Sequence, residues 1–169
     1  MSAFDKCSNI VCDFKDETEP VNLVAGADPV TILEVTVCVK DKNKTVKLDW
    51  SVNETLFSED VDPIFPIEVN PNATVEYILC NNDQQIGPTV TSSHSINNMV
   101  DITSPSVSGA QTLSFTHESQ PNFTFCDEQP FLGNNSYQVK ASLLNPDSGA
   151  TNSANLFDRS LVAVCFSVN

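Results

Sequence analysis

The segment TVKLDWSV, residues 45–52, alternates apolar and polar side chains at every second position. The apolar set is Val46, Leu48, Trp50 and Val52, and the polar set is Thr45, Lys47, Asp49 and Ser51. Successive side chains of a β-strand point to opposite faces of a sheet. The segment therefore predicts a strand with one buried face and one wet face.

The same alternation recurs along the chain and predicts further strands. They cover residues 30–40, 63–70, 73–80, 112–117, 122–126, 137–144 and 161–168, with shorter ones at 21–25 and around 99–102. The sequence Asp41-Lys42-Asn43-Lys44 between two strong strands predicts a hairpin. The polar stretch 81–98 predicts a long loop, and residues 151–159 allow one short helical turn at most.

Short strands with wet outer faces predict an all-β fold, a two-sheet β-sandwich. A jelly-roll-like topology is the first choice, and an immunoglobulin-like topology is the second. Residues 1–19 are charged, lack alternation and contain two cysteines, so they are predicted to form an extended N-terminal arm. Residues 20–169 then form the sandwich domain.

The charge of the chain excludes several classes of partner. Among 169 residues there are 22 acidic and 8 basic side chains, which gives a net charge of −14. Phosphate backbones and anionic membranes both require a cationic protein surface, so neither nucleic acid nor such a membrane is an expected partner. The sequence contains no run of 18 apolar residues, and residues 1–15 do not resemble a signal peptide, so membrane insertion is not expected.

Six cysteines carry the most information, and none of them forms a Cys-x-x-Cys pair. They are Cys7, Cys12, Cys38, Cys80, Cys126 and Cys165. The apolar sets of their strands are predicted to face the core, and they are Leu33, Val35, Val37 and Val39; Val75, Tyr77 and Leu79; Phe123 and Phe125; and Val162, Val164, Phe166 and Val168. Residue parity places the last four cysteines on the opposite strand faces, so all four are predicted to point away from the core. Exposed thiols are prone to oxidation unless they are paired. Three interpretations remain open: bridges within one chain or inert thiols in a reducing compartment, bonds between copies, and metal ligation.

A cysteine-bearing N-terminal segment before a jelly-roll-like domain with outward strand cysteines resembles the subunits of bacterial endospore appendages. In that family, arm cysteines bond to strand cysteines of neighbouring subunits in a helical fibre. Such subunits are made without a signal peptide and are released when the mother cell lyses. The resemblance implies that Cys7, Cys12, Cys38, Cys80, Cys126 and Cys165 are candidates for inter-subunit disulfides.

Other chemistry has little support in the sequence. The two histidines, His94 in a predicted loop and His117 at a predicted strand end, lie in no recognisable catalytic motif, so no enzyme activity is predicted. The acidic clusters at 59–62 and 127–128 leave calcium as a minor alternative to solvated loops. No cofactor and no metal site are predicted. Five Asn-x-Ser/Thr sequons begin at Asn43, Asn53, Asn72, Asn122 and Asn134, and composition alone can account for them.

The leading hypothesis is a structural protein. It is a self-assembling, disulfide-cross-linked subunit of an extracellular fibre or surface appendage, located outside the cell or on the cell or spore surface. Its partner is a second copy of the same chain. The alternatives are a monomeric secreted, adhesin-like β-sandwich with internal disulfides, and a virion surface or capsid jelly roll.

Overall fold

A computed structural model describes residues 11–62, 68–69, 72–95, 98–99, 111–144 and 151–167. Within these ranges every regular element is a β-strand, as the alternation predicts. The strands are β1 Val11–Glu17, β2 Val21–Val24, β3 Val30–Val39, β4 Lys44–Asp62, β5 Glu68–Val69, β6 Asn72–Asn81, β7 Gln84–Gln85, β8 Val90–Ser95, β9 Asn98–Met99, β10 Gln111–Ser119, β11 Asn122–Asp127, β12 Gly133–Leu143 and β13 Thr151–Ser167.

The strands form two antiparallel sheets in jelly-roll order. The first sheet runs β1-β13-β4-β10, with β2 also on β13 and β11 also on β4. The second sheet runs β3-β12-β6, with β7 and β8 pairing to β6, while β5 and β9 form a small separate ladder. If β1 with β2 and β10 with β11 each count as one strand, and the two-residue strands are left out, eight strands remain, four in each sheet, in the orders β1/β2-β13-β4-β10/β11 and β3-β12-β6-β8. This is the arrangement of a jelly roll with two Greek keys. The predicted jelly-roll-like sandwich is confirmed.

The core lies between the sheets and is built on the inward face of β4. Val46, Leu48, Trp50 and Val52 are all buried, and the Trp50 ring lies 5.1 Å from the Tyr77 ring of the opposite sheet. Val35 and Val37 of β3 are buried in the same cluster, and Phe123 packs against it while half-buried. The predicted inward faces of these strands are confirmed.

The N-terminal part of the chain differs from the predicted arm. Strand β1 pairs with β13 in antiparallel register, from Val11 opposite Cys165 to Glu17 opposite Arg159. The buried Arg159 guanidinium donates hydrogen bonds to the carbonyl oxygens of Ile32 (3.1 Å) and Glu19 (2.7 Å). Residues 11–17 are therefore a strand of the first sheet, since all seven pair with β13. The rest of the predicted arm, residues 1–10, lies outside the described residues.

Strand β13 reverses the predicted inward and outward faces. Leu161, Ala163 and Cys165 are buried, whereas Val164 and Phe166, which were predicted to lie in the core, are only half-buried. Both sets are apolar, so alternation alone cannot choose between them. The register with β4 decides the face, because Leu161, Ala163 and Cys165 lie opposite the inward-facing Trp50, Leu48 and Val46.

Three local predictions are also corrected. The predicted hairpin at residues 41–44 is wrong, because β3 and β4 lie in different sheets and the segment crosses between them. The stretch predicted as a long loop, 81–98, contains β7 and β8. The inward positions of β8 are Val90, Ser92 and His94, so no apolar alternation marked it as a strand. Residues 151–159, where a helical turn was allowed, belong to β13. The irregularity that disturbed the pattern there is a register shift between Phe157 and Ser160, with Asp158 at a φ of 42°.

Replacing Trp50 by alanine should lower the free energy of unfolding by about 3–5 kcal/mol, because a large buried ring is lost and a cavity remains. Urea denaturation followed by circular dichroism measures this change. Thr116→Ala, at an exposed position of β10, is the control and should change stability by less than about 0.5 kcal/mol. Equal effects of the two substitutions would contradict the assigned core.

Candidate functional site

Two thiols lie on opposite outer surfaces of the sandwich. Cys38 of β3 is half-buried between the inward-facing Val37 and Val39, so it faces outward from the second sheet. Cys126 of β11 is exposed and faces outward from the first sheet, where it lies opposite Lys47 of β4. The outward orientation that parity predicts for these two cysteines is confirmed.

Cys80 also follows its predicted parity, because Tyr77 and Leu79 occupy the inward positions of β6, but it is buried. Burial raises the pKa of its thiol, the Lys140 ammonium acts in the opposite direction, and Asp83 raises the pKa further. Lys140 and Asp83 form an ion pair of 2.8 Å beside it. Since the thiolate is the reactive form, Cys80 is a weak nucleophile in the folded chain.

The prediction that Cys165 points away from the core is wrong. Cys165 is 3% exposed and belongs to the buried cluster between the sheets. It lies near Tyr137 of β12 and adds to the raised pKa of that phenol. A disulfide from Cys165 to another copy would require β13 to open.

The strand registers keep these four cysteines apart from one another. Cys38 and Cys80 lie opposite Asn134 and Gln138, on the two sides of β12, so their Cα atoms are separated by roughly 17 Å. Cys126 and Cys165 lie on the two sides of β4, opposite Lys47 and Val46, at roughly 10 Å.

The remaining pairs join different sheets, which pack about 10 Å apart. In each such pair, Cys38 or Cys80 faces away from the other sheet. A disulfide requires Cα atoms roughly 4.4–6.8 Å apart. No two of these four cysteines therefore meet the distance for a bridge within one chain.

The two N-terminal cysteines are only partly placed. Cys12 belongs to β1, and its backbone lies opposite Val164 of β13. Cys7 lies outside the described residues. The predicted roles of both as donors of an inter-subunit disulfide stay predictions.

A polar cluster that the sequence analysis did not identify joins the two sheets. The Glu54 carboxyl group on β4 is fully buried. It accepts hydrogen bonds from Tyr77 Oη at 2.5 Å, from Ser119 Oγ at 2.5 Å and from Ser92 Oγ. Three hydroxyl donors offset the cost of burying this group. The cluster ties β4 and β10 of one sheet to β6 and β8 of the other.

The two histidines lie together at the edge of the interface between the two sheets. His94 of β8 stacks on His117 of β10 with ring centroids 4.1 Å apart and planes 3° from parallel. His94 also meets Phe115 edge-on at 4.9 Å. The parallel stack joins the edge strands of the two sheets, and the described structure shows no hydrogen bond from either ring to Ser92 or Ser119.

A sequence signal for this cluster existed. The inward parity of 46, 48, 50 and 52 continues to Glu54, which places an acid on a core face. Buried acids are paired or hydrogen-bonded, so an inward Glu54 implies donors on the opposite sheet. The donors could not be identified from sequence, because Ser92 and Ser119 lie far from Glu54 along the chain.

The acidic stretches considered for calcium are engaged differently. Asp127 accepts hydrogen bonds from Tyr137 Oη (2.9 Å), Asn81 Nδ2 (3.2 Å) and the Gln129 amide (3.2 Å). Glu59 lies on β4 opposite Thr151 of β13, and the side chains of residues 60–62 are outside the description. Within the described residues, no group of three or more His, Cys, Asp or Glu side chains is placed to hold a metal ion.

Comparisons with known proteins give only distant similarity. No family model and no curated protein matches the chain. Among solved structures, a T=1 particle derived from infectious bursal virus aligns at 8% identity with a TM-score of 0.35, covering 94% of this chain and 36% of that one.

A T13 particle of the infectious bursal disease virus, IBDV, aligns at 9% identity with a TM-score of 0.33, covering 95% and 36%. The dimeric latent PorU of Porphyromonas gingivalis aligns at 10% identity with a TM-score of 0.26, covering 95% and 13%. The chain thus spans about a third or less of these proteins, and scores of this size do not indicate a shared function. The part of the chain that the structure describes contains no helix that could span a membrane.

Tyr77→Phe tests the inter-sheet cluster. The pKa of Tyr77 is raised, first by burial and then by the neighbouring Glu54. The folded state therefore disfavours the phenolate, and the resulting stability is present below the unfolded pKa of about 10 and is lost as pH rises above it. The variant should lose about 1–3 kcal/mol at pH 7, because an oxygen of Glu54 loses its donor.

Above pH 10 the free energy of unfolding should fall with pH in both proteins. The slope for Tyr77→Phe should be smaller than that for the wild type, and the difference should be about 1.4 kcal/mol per pH unit. Urea denaturation at pH 7, 10 and 11 measures both effects. A wild-type slope in the variant would show that Tyr77 ionises as easily in the folded chain as in the unfolded one.

Proposed function

We propose that this protein is a structural subunit of a self-assembling, disulfide-cross-linked extracellular fibre or surface appendage. The observation that carries the proposal is the placement of Cys38 and Cys126 on opposite outer surfaces of one subunit. A subunit with a thiol on each surface can be linked to two neighbours. The registers also keep both thiols from reaching each other, Cys80 or Cys165.

In the proposed assembly, Cys7 or Cys12 of one copy bonds to Cys38 or Cys126 of another. Cys80 and Cys165 were included as sequence candidates, but their burial makes them poorer acceptors in the folded subunit. The disulfides fix contacts that non-covalent interactions form first. At physiological ionic strength the repulsion between copies of charge −14 is screened beyond about 8 Å, so close contacts can form.

The alternative of a monomeric secreted module with three internal disulfides is less consistent with the geometry. Four of the six cysteines cannot pair among themselves, and Cys7 and Cys12 could supply partners for only two of them. At least two strand cysteines would remain as thiols in such a monomer.

A closed shell is a second candidate, since the jelly-roll strand order also occurs in viral capsid domains. Fold alone does not imply function, and the same order occurs in lectins and cupins. Negative-stain imaging of the assembled protein separates the two candidates. Filaments support the fibre, and closed particles of uniform diameter support the shell.

Electrophoresis of the oxidised protein tests the cross-links. Without reductant the wild type should form a ladder, or material too large to enter the gel, that collapses to 18.4 kDa on reduction. Cys38→Ser with Cys126→Ser should abolish the ladder, because the accessible acceptors are lost. Cys80→Ala with Cys165→Ala removes the same number of thiols and should keep it.

Cys7→Ser with Cys12→Ser tests the donors in the same assay and should leave assemblies that dissociate in hot detergent. A wild-type chain that runs as a monomer with and without reductant, after assembly conditions, would overturn the proposal. A ladder that survives the loss of Cys38 and Cys126 but not that of Cys80 and Cys165 would contradict the assigned acceptors.

A further inference from the structure

The two ends of the sandwich carry different charges and similar exposed apolar groups. The basic end consists of residues 40–44, which lead from β3 into β4, and residues 128–132, between β11 and β12. These segments are neighbours because Val39 pairs with Gly133 and Val46 pairs with Asp127. The opposite end consists of residues 24–30, from the last residue of β2 to the first residue of β3, with Leu144 after β12, and is held by a hydrogen bond from the Gly26 amide to Leu143 O at 2.9 Å.

The basic end holds three of the eight lysines and arginines of the chain. They are Lys40, Lys42 and Lys44, within five consecutive positions, and Lys47 follows on β4. Lys47 pairs with Asp49 at 2.9 Å and Lys44 donates to Ser167 at 2.8 Å. Lys40 and Lys42 are exposed, and neither is within ion-pair distance of a carboxylate in the described residues.

Acidic groups at the basic end are few or engaged. Asp41 lies between Lys40 and Lys42, and the adjacent Asp127 of β11 already accepts hydrogen bonds from Asn81 and Tyr137. Glu128 lines a cleft of about 420 Å³ together with Lys42, Asn43, Lys44 and Thr45. On a chain of charge −14, the balance here is much less negative than elsewhere.

The opposite end has the complementary charge. The segment 24–30 contains the exposed Asp28 and no basic residue. Glu59 of β4 lies toward the same end, as Thr151 pairs with it at the start of β13. Strand β3 separates Lys40 from this end by roughly 30 Å, so the two charged ends cannot neutralise each other within one subunit.

Exposed apolar side chains concentrate at the same two ends. Phe131 and Leu132 at the basic end are 53% and 55% exposed. Val24, Val30 and Leu144 at the opposite end are 69%, 41% and 38% exposed. Of the large apolar side chains that the structure shows as exposed, only Phe14 lies elsewhere. Exposed apolar groups that lie together with charge are typical of an interaction surface.

We infer that the basic end of one subunit docks on the opposite end of the next copy, through Lys40, Lys42, Phe131 and Leu132 against Val24, Asp28, Val30 and Leu144. The contact is heterologous, and repetition of such a contact gives an open filament unless the rotation closes a ring. The inference rests on the proposed self-assembly and gives it a non-covalent contact that does not depend on the cysteines.

Charge reversal tests this contact by sedimentation velocity in reducing buffer, where disulfides are absent. Lys40→Glu with Lys42→Glu should raise the dissociation constant for self-association at least tenfold, and Asp28→Lys should do the same from the other end. Lys15→Glu with Lys47→Glu, on the first sheet, changes the net charge by the same amount as the Lys40/Lys42 variant. This control should raise the dissociation constant less than threefold. Circular dichroism confirms that each variant folds.

A mixture of the two end variants sharpens the test. The unaltered basic end of Asp28→Lys can dock on the unaltered opposite end of the Lys40→Glu/Lys42→Glu variant. The mixture should therefore associate more tightly than either variant alone. End variants that associate like the wild type, or like the Lys15/Lys47 control, overturn the inference while leaving self-assembly intact. A wild type that stays monomeric under reducing and oxidising conditions overturns the proposed function as well.

Discussion

The packing of the inward face of β4 against the opposite sheet is the contact on which the rest of the structure depends. Trp50 and Tyr77 meet across the two sheets, and β4 is the strand to which β13, β10 and β11 all pair. Because side chains alternate strictly along a strand, fixing the inward face of β4 also fixes its outward face. A shift of one residue would expose the whole apolar set.

This constraint determines which cysteines are available for chemistry. The pairing of β11 with β4 leaves Cys126 outside, and the pairing of β3 with β12 leaves Cys38 outside on the other sheet. The pairing of β13 with β4 turns Cys165 inward. The same sandwich that protects two thiols therefore presents two others in opposite directions, which suits a cross-linked assembly better than a set of internal bridges.

The sequence predicted the fold class and the inward faces of β3, β4 and β6, because their two faces differ clearly in polarity. It failed on β13, where Leu161 and Val162 are both apolar and the register with β4 decides which of them is buried. It failed on β8, since Ser92 faces inward to bond Glu54 and His94 faces inward to stack on His117. The role of residues 11–17 as a strand also depends on a distant partner, β13, and local composition does not reveal such pairing.

The two ends of the sandwich differ in charge, which gives the domain a direction. The alternation of side chains does not predict where residues outside the strands lie. The positions of Lys40, Asp28 and Phe131 at the two ends therefore follow only from the topology. Non-covalent docking end to end and covalent links from the outer faces are compatible, because they use different surfaces. Docking would set the order of the subunits, and the disulfides would then make the assembly resistant to dissociation.

Mass spectrometry of an unreduced assembly grown from an equal mixture of isotope-light and isotope-heavy subunits tests the central claim most directly. The account predicts that peptides containing Cys38 or Cys126 are found bonded to peptides containing Cys7 or Cys12, and that about half of these pairs combine one light and one heavy partner. Disulfide-linked peptides that are always both light or both heavy would show that every bridge lies within one chain, and would contradict the account.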